Sequence, residues 1–331
     1  MRNSSEPAEE IADITLEAVP PLYEGRVATL SLNTIVVGGG IGGLATAHAL
    51  AHAGHRVTIL EAASDMGEVG AGMQASPNAT RLLLRWGLGP ALRAHGVEPA
   101  AIVFRRYDTG ERVGYTRWGP LMQRDHGAPY YHIHRADYLA MLHHLANTAP
   151  GVRVCLGATV RDVQPDPAVV GGPSVTLASG EVLHADLIVA ADGVKSTLQK
   201  AVTGLDDKPA PTGDAAYRAV ISTDLMLEDP VLRPLVETAE MTAWMAPGRH
   251  LMAYCIVSLV LRTCFWVRPE DVGQRSKKEY NLVLIHPDDG SVESWTEEGS
   301  GDKMRADFAD FEPRYVTSGL GLPPAVYHWA V

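Results

Sequence analysis

Cysteine is scarce in this chain. Cys155, Cys255 and Cys264 are the three present among 331 residues, and they make neither a metal-ligand spacing nor an even disulfide set. Reduced thiols, as in a cytoplasmic protein, are the expectation. Positive charge is also short. Lys and Arg total 28 against 39 Asp and Glu, a net charge of −11, which argues against nucleic acid as a partner. No apolar run approaches the roughly 20 residues of a membrane span. The start, MRNSSEPAEEIADITLEAVPP, has neither the basic opening nor the apolar run of a signal peptide. Its acidic, proline-containing composition reads as a disordered tail over residues 1–31. Histidine is frequent, but His48, His52 and His55 have no carboxylate or thiol to complete a metal site, so they read as a solvated helix face. What remains is 46% hydrophobic and 20% charged, enough for a substantial core in one large domain or two ordinary ones.

The informative stretch is residues 34 to 62, TIVVGGGIGGLATAHALAHAGHRVTILEA. Thr34 to Val37 has the β-branched composition of a buried parallel strand. Gly38, Gly40 and Gly43 follow in the spacing G-x-G-x-x-G and open a helix from Ile41. Gly54 stops that helix, and Arg56 to Leu60 is a second strand ending at Glu61. In such a unit Gly38 permits the sharp turn, Gly40 lets a pyrophosphate approach the main chain, and Gly43 lets the helix pack close to the strands. The helix N-terminus offers unpaired N–H groups to the phosphates. Glu61 stands where a ribose hydroxyl arrives. The pattern predicts dinucleotide binding and does not choose between NAD and FAD.

Beyond Glu61, Ser76 and Pro77 are a helix start, with Leu82, Leu83, Leu84 and Trp86 as its expected buried face. Residues Gly70 to Asn78 read G-A-G-M-Q-A-S-P-N. Here the chain resembles the FAD-dependent aromatic hydroxylases, the salicylate hydroxylase-like branch of the flavoprotein monooxygenases. In that family a G-A-G-[IM]-Q-x-x-P-N loop follows the ribose-binding acid and lies against the flavin, which implies a cofactor role for Gly72. His134-Arg135-Ala136-Asp137-Tyr138-Leu139 is similar to the family's H-R-x-D-L segment, with Tyr138 in place of the leucine. The resemblance implies that Arg135 approaches the cofactor. An arginine at a helix N-terminus is unfavourable with the dipole, which fits an anionic partner.

A second fingerprint, an A-D-G-x-x-S turn, matches Ala191-Asp192-Gly193-Val194-Lys195-Ser196 at the end of the strand-like run Leu187 to Ala190. It places Asp192 among the cofactor-binding residues and tips the cofactor from NAD to FAD. From about Pro209 onward the pattern is strand-rich: 215–222, 241–245, 250–256 and 280–285. Ala216-Tyr217-Arg218-Ala219-Val220 corresponds to the family's Y-R strand, whose arginine is assigned to the active site in some fungal members. Arg218 is thus the expected holder of a phenolate or carboxylate through a charge-assisted fork, with Tyr217 adding a hydroxyl.

Two stretches depart from the family. Residues 257–276, VSLVLRTCFWVRPEDVGQRS, stand where a short turn is expected and read either as an aberrant insertion, such as translated intron, or as a genuine loop insertion. After Arg314 the resemblance fades through YVTSGLGLPPAVYHWAV, without the family's G-D-A-A-H-x-x-x-P segment and long helix, so the chain as written is expected to be impaired. The expected fold is α/β: a Rossmann-type FAD-binding domain over 32–208, interleaved with a β-rich substrate domain over 209–331, as in para-hydroxybenzoate hydroxylase. The resemblance implies an FAD-dependent monooxygenase that consumes NAD(P)H and O2 and hydroxylates an aromatic substrate. The alternatives are a flavin oxidase or dehydrogenase, or a non-catalytic nucleotide-binding protein. No metal site is expected.

Overall fold

In the structure, a computed structural model, residues 14–66, 71–206, 210–258, 277–288, 290, 298–312 and 326–330 are described. The chain forms two compact units, each assembled from separated stretches.

The first unit comprises Met1–Glu68, Arg85–Leu88 and Tyr138–Ala210. Its centre is a four-stranded parallel sheet in the order Leu187–Ala190, Asn33–Val37, Arg56–Leu60, Val152–Cys155. Ile35, Val37, Leu60, Val175, Ala185 and Leu198 pack together as a buried cluster, the burial expected of parallel strands covered on both faces. The helix Ile41–His52 joins the first two strands. A three-stranded antiparallel sheet, Val182–His184, Ser174–Leu177 and Val160–Gln164, completes the unit.

Two expectations change here. Residues 14–31 belong to the folded unit: the Glu17 N–H donates to the Gly87 carbonyl at 2.9 Å, the Ala28 N–H to the Ala53 carbonyl at 2.8 Å, and the Tyr23 hydroxyl to the Ala49 carbonyl at 3.2 Å. Residues 1–13 lie outside the described residues. His48 is buried rather than solvated. Its Nδ1 lies 3.3 Å from the Leu145 carbonyl and its ring 5.0 Å from that of Trp86. The reason is the short side chains of the helix, which let neighbouring elements close over it.

The second unit comprises Val69–Leu84, Gly89–Asp137 and Pro211–Val331. An eight-stranded sheet runs in the order Glu298–Gly299, Val326–Ala330, Asp214–Ser222, Lys277–Pro287, Arg249–Ser258, Glu240–Ala246, Ala101–Arg106, Arg112–Arg117. A three-stranded sheet orders Gly72–Ala75, Tyr131–His134 and Gly96–Val97. The division at residue 208 expected from sequence therefore misses how strands 101–117 are used. They join the later strands because Ala101–Arg106 pairs in parallel with Glu240–Met245.

Period-two alternation sorts the large sheet. Tyr217, Ala219, Trp244, Leu251, Ala253, Cys255, Leu282 and Leu284 share a core with Met304, Phe308 and Phe311. Met304 lies in the helix Gly301–Asp307, and the two phenylalanines follow it. Residues one step out of phase, Arg218, Tyr254 and Asn281 among them, belong to the other face. The proposed insertion falls mostly outside the described residues. Its first two residues, Val257 and Ser258, continue the preceding strand and pair with Lys278 and Lys277. Of the stretch where the resemblance fades, Val326–Ala330 adds a strand beside Asp214–Ser222, and 313–325 lies outside the described residues.

Candidate functional site

In the first unit the glycine turn and the second fingerprint are neighbours, although far apart in sequence. The strands Asn33–Val37 and Leu187–Ala190 pair in register, Val37 beside Ala190. Gly38 has φ of +106°, and a Cβ there would collide with the Ala191 carbonyl. A Cβ on Gly43 would collide with the Gly38 carbonyl oxygen. Both glycines are thus required by the protein's own packing. Gly40 is different: a Cβ there would meet no atom within 4 Å. Nothing in the chain demands a glycine at that point, and the open main chain at the start of the Ile41–His52 helix suits close approach by a pyrophosphate.

Glu61 braces this turn. One carboxylate oxygen accepts the Gly39 N–H at 2.5 Å and the other accepts the Ala63 N–H at 2.8 Å. A carboxylate has lone pairs for about four such bonds, so capacity remains for ribose hydroxyls. The Asp192 carboxylate closes its own turn. It accepts from the Ser196 hydroxyl at 2.7 Å, the Thr197 N–H at 2.8 Å and the Leu198 N–H at 3.2 Å. These residues fit the adenosine and pyrophosphate half of FAD.

In the second unit one face of the large sheet gathers polar side chains. Tyr254 and Asn281 are direct cross-strand neighbours, and Arg218 pairs with Val283 in the adjoining row. Gly72 packs on both: a Cβ there would sit 2.8 Å from Asn281 Cγ and 2.8 Å from Tyr254 Cε2. The Gly72 N–H donates to Asn281 Oδ1 at 2.9 Å. The structure therefore explains Gly72 by packing.

Burial pushes the Tyr254 phenol up to about 12, opposed by the Arg218 charge and by a hydrogen bond with the Gln74 side chain. Burial also lowers Arg218, and the like charge of Arg135 adds to that, while Tyr254 works the other way. Arg135 itself begins the helix Arg135–Thr148, its N–H donating to the Ala71 carbonyl at 3.0 Å. Two cations held within electrostatic reach of each other suit an anionic ligand.

His132 stacks on Tyr254 with ring centroids 4.4 Å apart, and Tyr130 meets His132 edge-on at 5.8 Å. Burial drives the His132 pKa down to about 3, and a hydrogen bond with the Cys255 backbone opposes the shift. Asn281 Nδ2 is buried without a hydrogen-bond partner. Each such buried group costs about 1–3 kcal/mol.

Tyr217 is not brought to this face. Its hydroxyl donates to Asp307 Oδ2 at 2.6 Å, and its ring stacks on His286 at 4.6 Å. Consecutive strand residues point to opposite sides, so Tyr217 and Arg218 do not line one cavity. Leu82, expected in the buried face of its helix, is 47% exposed, while Leu83 is buried. Sequence reasoning missed Tyr254, His132, Asn281 and Gln74. The alternation in HLMAYCI and YYHIH was available, but not the register that brings them together.

No group of three or more His, Cys, Asp or Glu suited to a metal occurs among the described residues. No helix among them is long and apolar enough to cross a membrane.

Comparison with known proteins gives the family and the fold. The family described as FAD binding domain matches residues 31–279. FAD-dependent monooxygenase OpS4 of Beauveria bassiana is 35% identical over 285 residues, covering 85% of this chain and 61% of that protein. 3-Hydroxybenzoate 6-hydroxylase of Klebsiella oxytoca is 32% identical over 288 residues, 86% of this chain and 64% of that protein. The chain thus spans less than two thirds of the length of these relatives. Among solved structures, a salicylate hydroxylase substrate complex superposes with a TM-score of 0.66 at 22% identity, covering 92% of this chain and 69% of the other. Klebsiella pneumoniae HpxO complexed with FAD and uric acid gives 0.70 at 21% identity, covering 91% and 68%.

Proposed function

We propose that this chain, which belongs to the FAD-binding-domain family of flavoprotein monooxygenases, hydroxylates an aromatic ring bearing an anionic group, using FAD, NAD(P)H and O2. The observation that carries the reading is Arg218 beside Tyr254 on the polar face of the large sheet. Guanidinium stays charged when buried, and it binds a carboxylate or phenolate by a planar two-point fork. Holding the anion fixes the ring, and where the anion is a phenolate it stabilises the ionised form that is most reactive toward an electrophilic oxygen.

Gly40 and Glu61 serve the pyrophosphate and ribose, with Gly38, Gly43 and Asp192 shaping the turn that presents them. Arg135 adds positive charge near Arg218, and Gly72 sets the backbone beside Tyr254 and Asn281. FAD, once bound and reduced by NAD(P)H, supplies the oxygen-activating chemistry. Tyr254 and Arg218 orient the substrate, and the apolar neighbours Met241 and Ile256 help exclude water. The test is mass analysis of product formed from an aromatic acid under 18O2 with FAD and NAD(P)H. One labelled oxygen in the ring product is expected. Reductant consumption without incorporation contradicts hydroxylation and indicates an oxidase.

A further inference from the structure

We infer that the first unit carries a second ligand site, separate from the glycine turn, which takes the phosphate monoester of a small metabolite between Arg56 and Arg153. A cavity of about 430 Å3 opens there, lined among others by Asn33, Arg56, Thr58, Arg153, Leu183 and His184. That volume is within the range of small-molecule sites, about 300–1,000 Å3. All six residues belong to the first unit.

The parallel register puts the polar groups on one face. Asn33 pairs with Arg56, Ile35 with Thr58, and Thr58 with Arg153. Ile35 packs against Val175 and Ala185 of the antiparallel sheet and the turn after it. Alternation therefore sends Asn33, Arg56, Thr58 and Arg153 to that same side. Arg56 and Arg153 are diagonal neighbours across paired strands, a spacing that long side chains bridge. The cavity lies where these strands begin. Gly38 and Glu61 follow the strands' last residues, about 15 Å away at roughly 3.3 Å per residue.

The arginines are oriented and uncommitted. Asp186 Oδ2 accepts the Asn33 N–H at 2.7 Å and the Asn33 side-chain amide at 3.2 Å. The amide so fixed turns its Oδ1 to Arg56 Nε at 2.9 Å. Arg56 thus has one guanidinium edge anchored, with the terminal nitrogens left for a ligand. Neither Arg56 nor Arg153 makes an ion pair with any described residue, although the chain holds 39 Asp and Glu against 28 Lys and Arg.

The geometry selects the anion. One guanidinium fork fills both oxygens of a carboxylate. A phosphate monoester has three terminal oxygens and accepts forks from two directions, which suits cations on two strands. Thr58 offers a hydroxyl and His184 a ring nitrogen to the rest of the ligand, and Leu183 an apolar wall. Glucose 6-phosphate is a probe of this class that carries no adenosine for the glycine turn and no aromatic ring for the face around Arg218.

The experiment titrates glucose 6-phosphate into the purified chain with excess FAD, by calorimetry. Saturable binding at one equivalent is expected, with none for glucose and at least tenfold weaker binding of inorganic phosphate and of succinate. Arg56→Gln and Arg153→Gln should each weaken the ester about tenfold or more, the scale of a lost charged hydrogen bond. Their FAD titrations and ligand-free urea melts should coincide with the parent's, which separates loss of the site from a folding defect. No binding by the parent overturns the inference, as does equal binding of succinate or inorganic phosphate, or undiminished binding by the Arg56→Gln/Arg153→Gln double variant. Loss of FAD in step with the ester also overturns it, since the arginines would then act through the fold. None of these results bears on the 18O2 test of hydroxylation.

Discussion

Tyr217 and Arg218 are adjacent in the chain and stand on opposite faces of one sheet. The tyrosine gives its hydroxyl to Asp307 at 2.6 Å, and Asp307 is also held by Lys303 at 2.9 Å. The arginine faces Tyr254. One residue supports the fold, and the other lies on the sheet face that carries Tyr254 and Asn281.

Their substitutions should therefore separate. Tyr217→Phe removes a hydrogen bond to a charged group and should lower stability by about 1–3 kcal/mol, with aromatic-acid binding unchanged. Arg218→Lys should leave stability nearly intact and weaken that binding by at least about tenfold, because an ammonium cannot reproduce the planar fork. Urea melts and ligand titrations on both variants check this. Equal binding by Arg218→Lys and parent would return the arginine to a structural role.

Glu61 carries two duties, bracing Gly39 and Ala63 and meeting the ribose. Glu61→Ala should weaken FAD by roughly 1.5–3 kcal/mol, the scale of a lost charged hydrogen bond. The melting temperature of the FAD-free protein should also fall, since two backbone N–H groups lose their acceptor. A titration of FAD against variant and parent decides the ribose assignment, and coincident curves refute it.

Acid sensitivity should follow two buried histidines. Burial lowers His48 from 6.5 to about 4 and His132 from 6.5 to about 3. The unfolded chain binds a proton at each below about pH 6.5, and the folded chain does not until the lower value is reached. The unfolded state thus holds more protons through this window. Stability is full above pH 6.5 and falls as pH drops toward 4 for His48 and 3 for His132. The slope is at most about 1.4 kcal/mol per pH unit for each group. In His132→Phe the stability difference between pH 7 and pH 5 should shrink by about 1–2 kcal/mol. Urea melts at the two pH values measure it, and an undiminished difference contradicts the assignment.

Much of the first unit was legible in sequence because its signals are local. Strand, glycines, helix and terminal acid follow one another from Thr34 to Glu61, and the structure places the strands at Asn33–Val37 and Arg56–Leu60. The strand Asp214–Ser222 was legible for the same reason. What its residues face was only half legible. Alternation alone says that Tyr217 and Arg218 diverge, but which side meets the Gly301–Asp307 helix depends on a segment about 90 residues away. Tyr254, Asn281 and His132 come together through strand register and through the stacking of one sheet's residue on another's. No short window encodes either. Gly72 shows the converse: a motif position read as a cofactor contact is also fixed by contact with Asn281 and Tyr254.

The central claim is that the turn from Gly38 to Gly43 exists to hold the pyrophosphate of FAD, and Gly40 isolates it. A side chain at Gly43 would strike the Gly38 carbonyl, whereas one at Gly40 would meet no protein atom within 4 Å. Gly40→Ala should therefore fold and melt as the parent does, within about 1 kcal/mol, while Gly43→Ala should be destabilised. The decisive measurement is flavin absorbance retained through gel filtration, parent against Gly40→Ala. The account predicts a yellow parent and a folded, colourless variant. Equal flavin in both would contradict it.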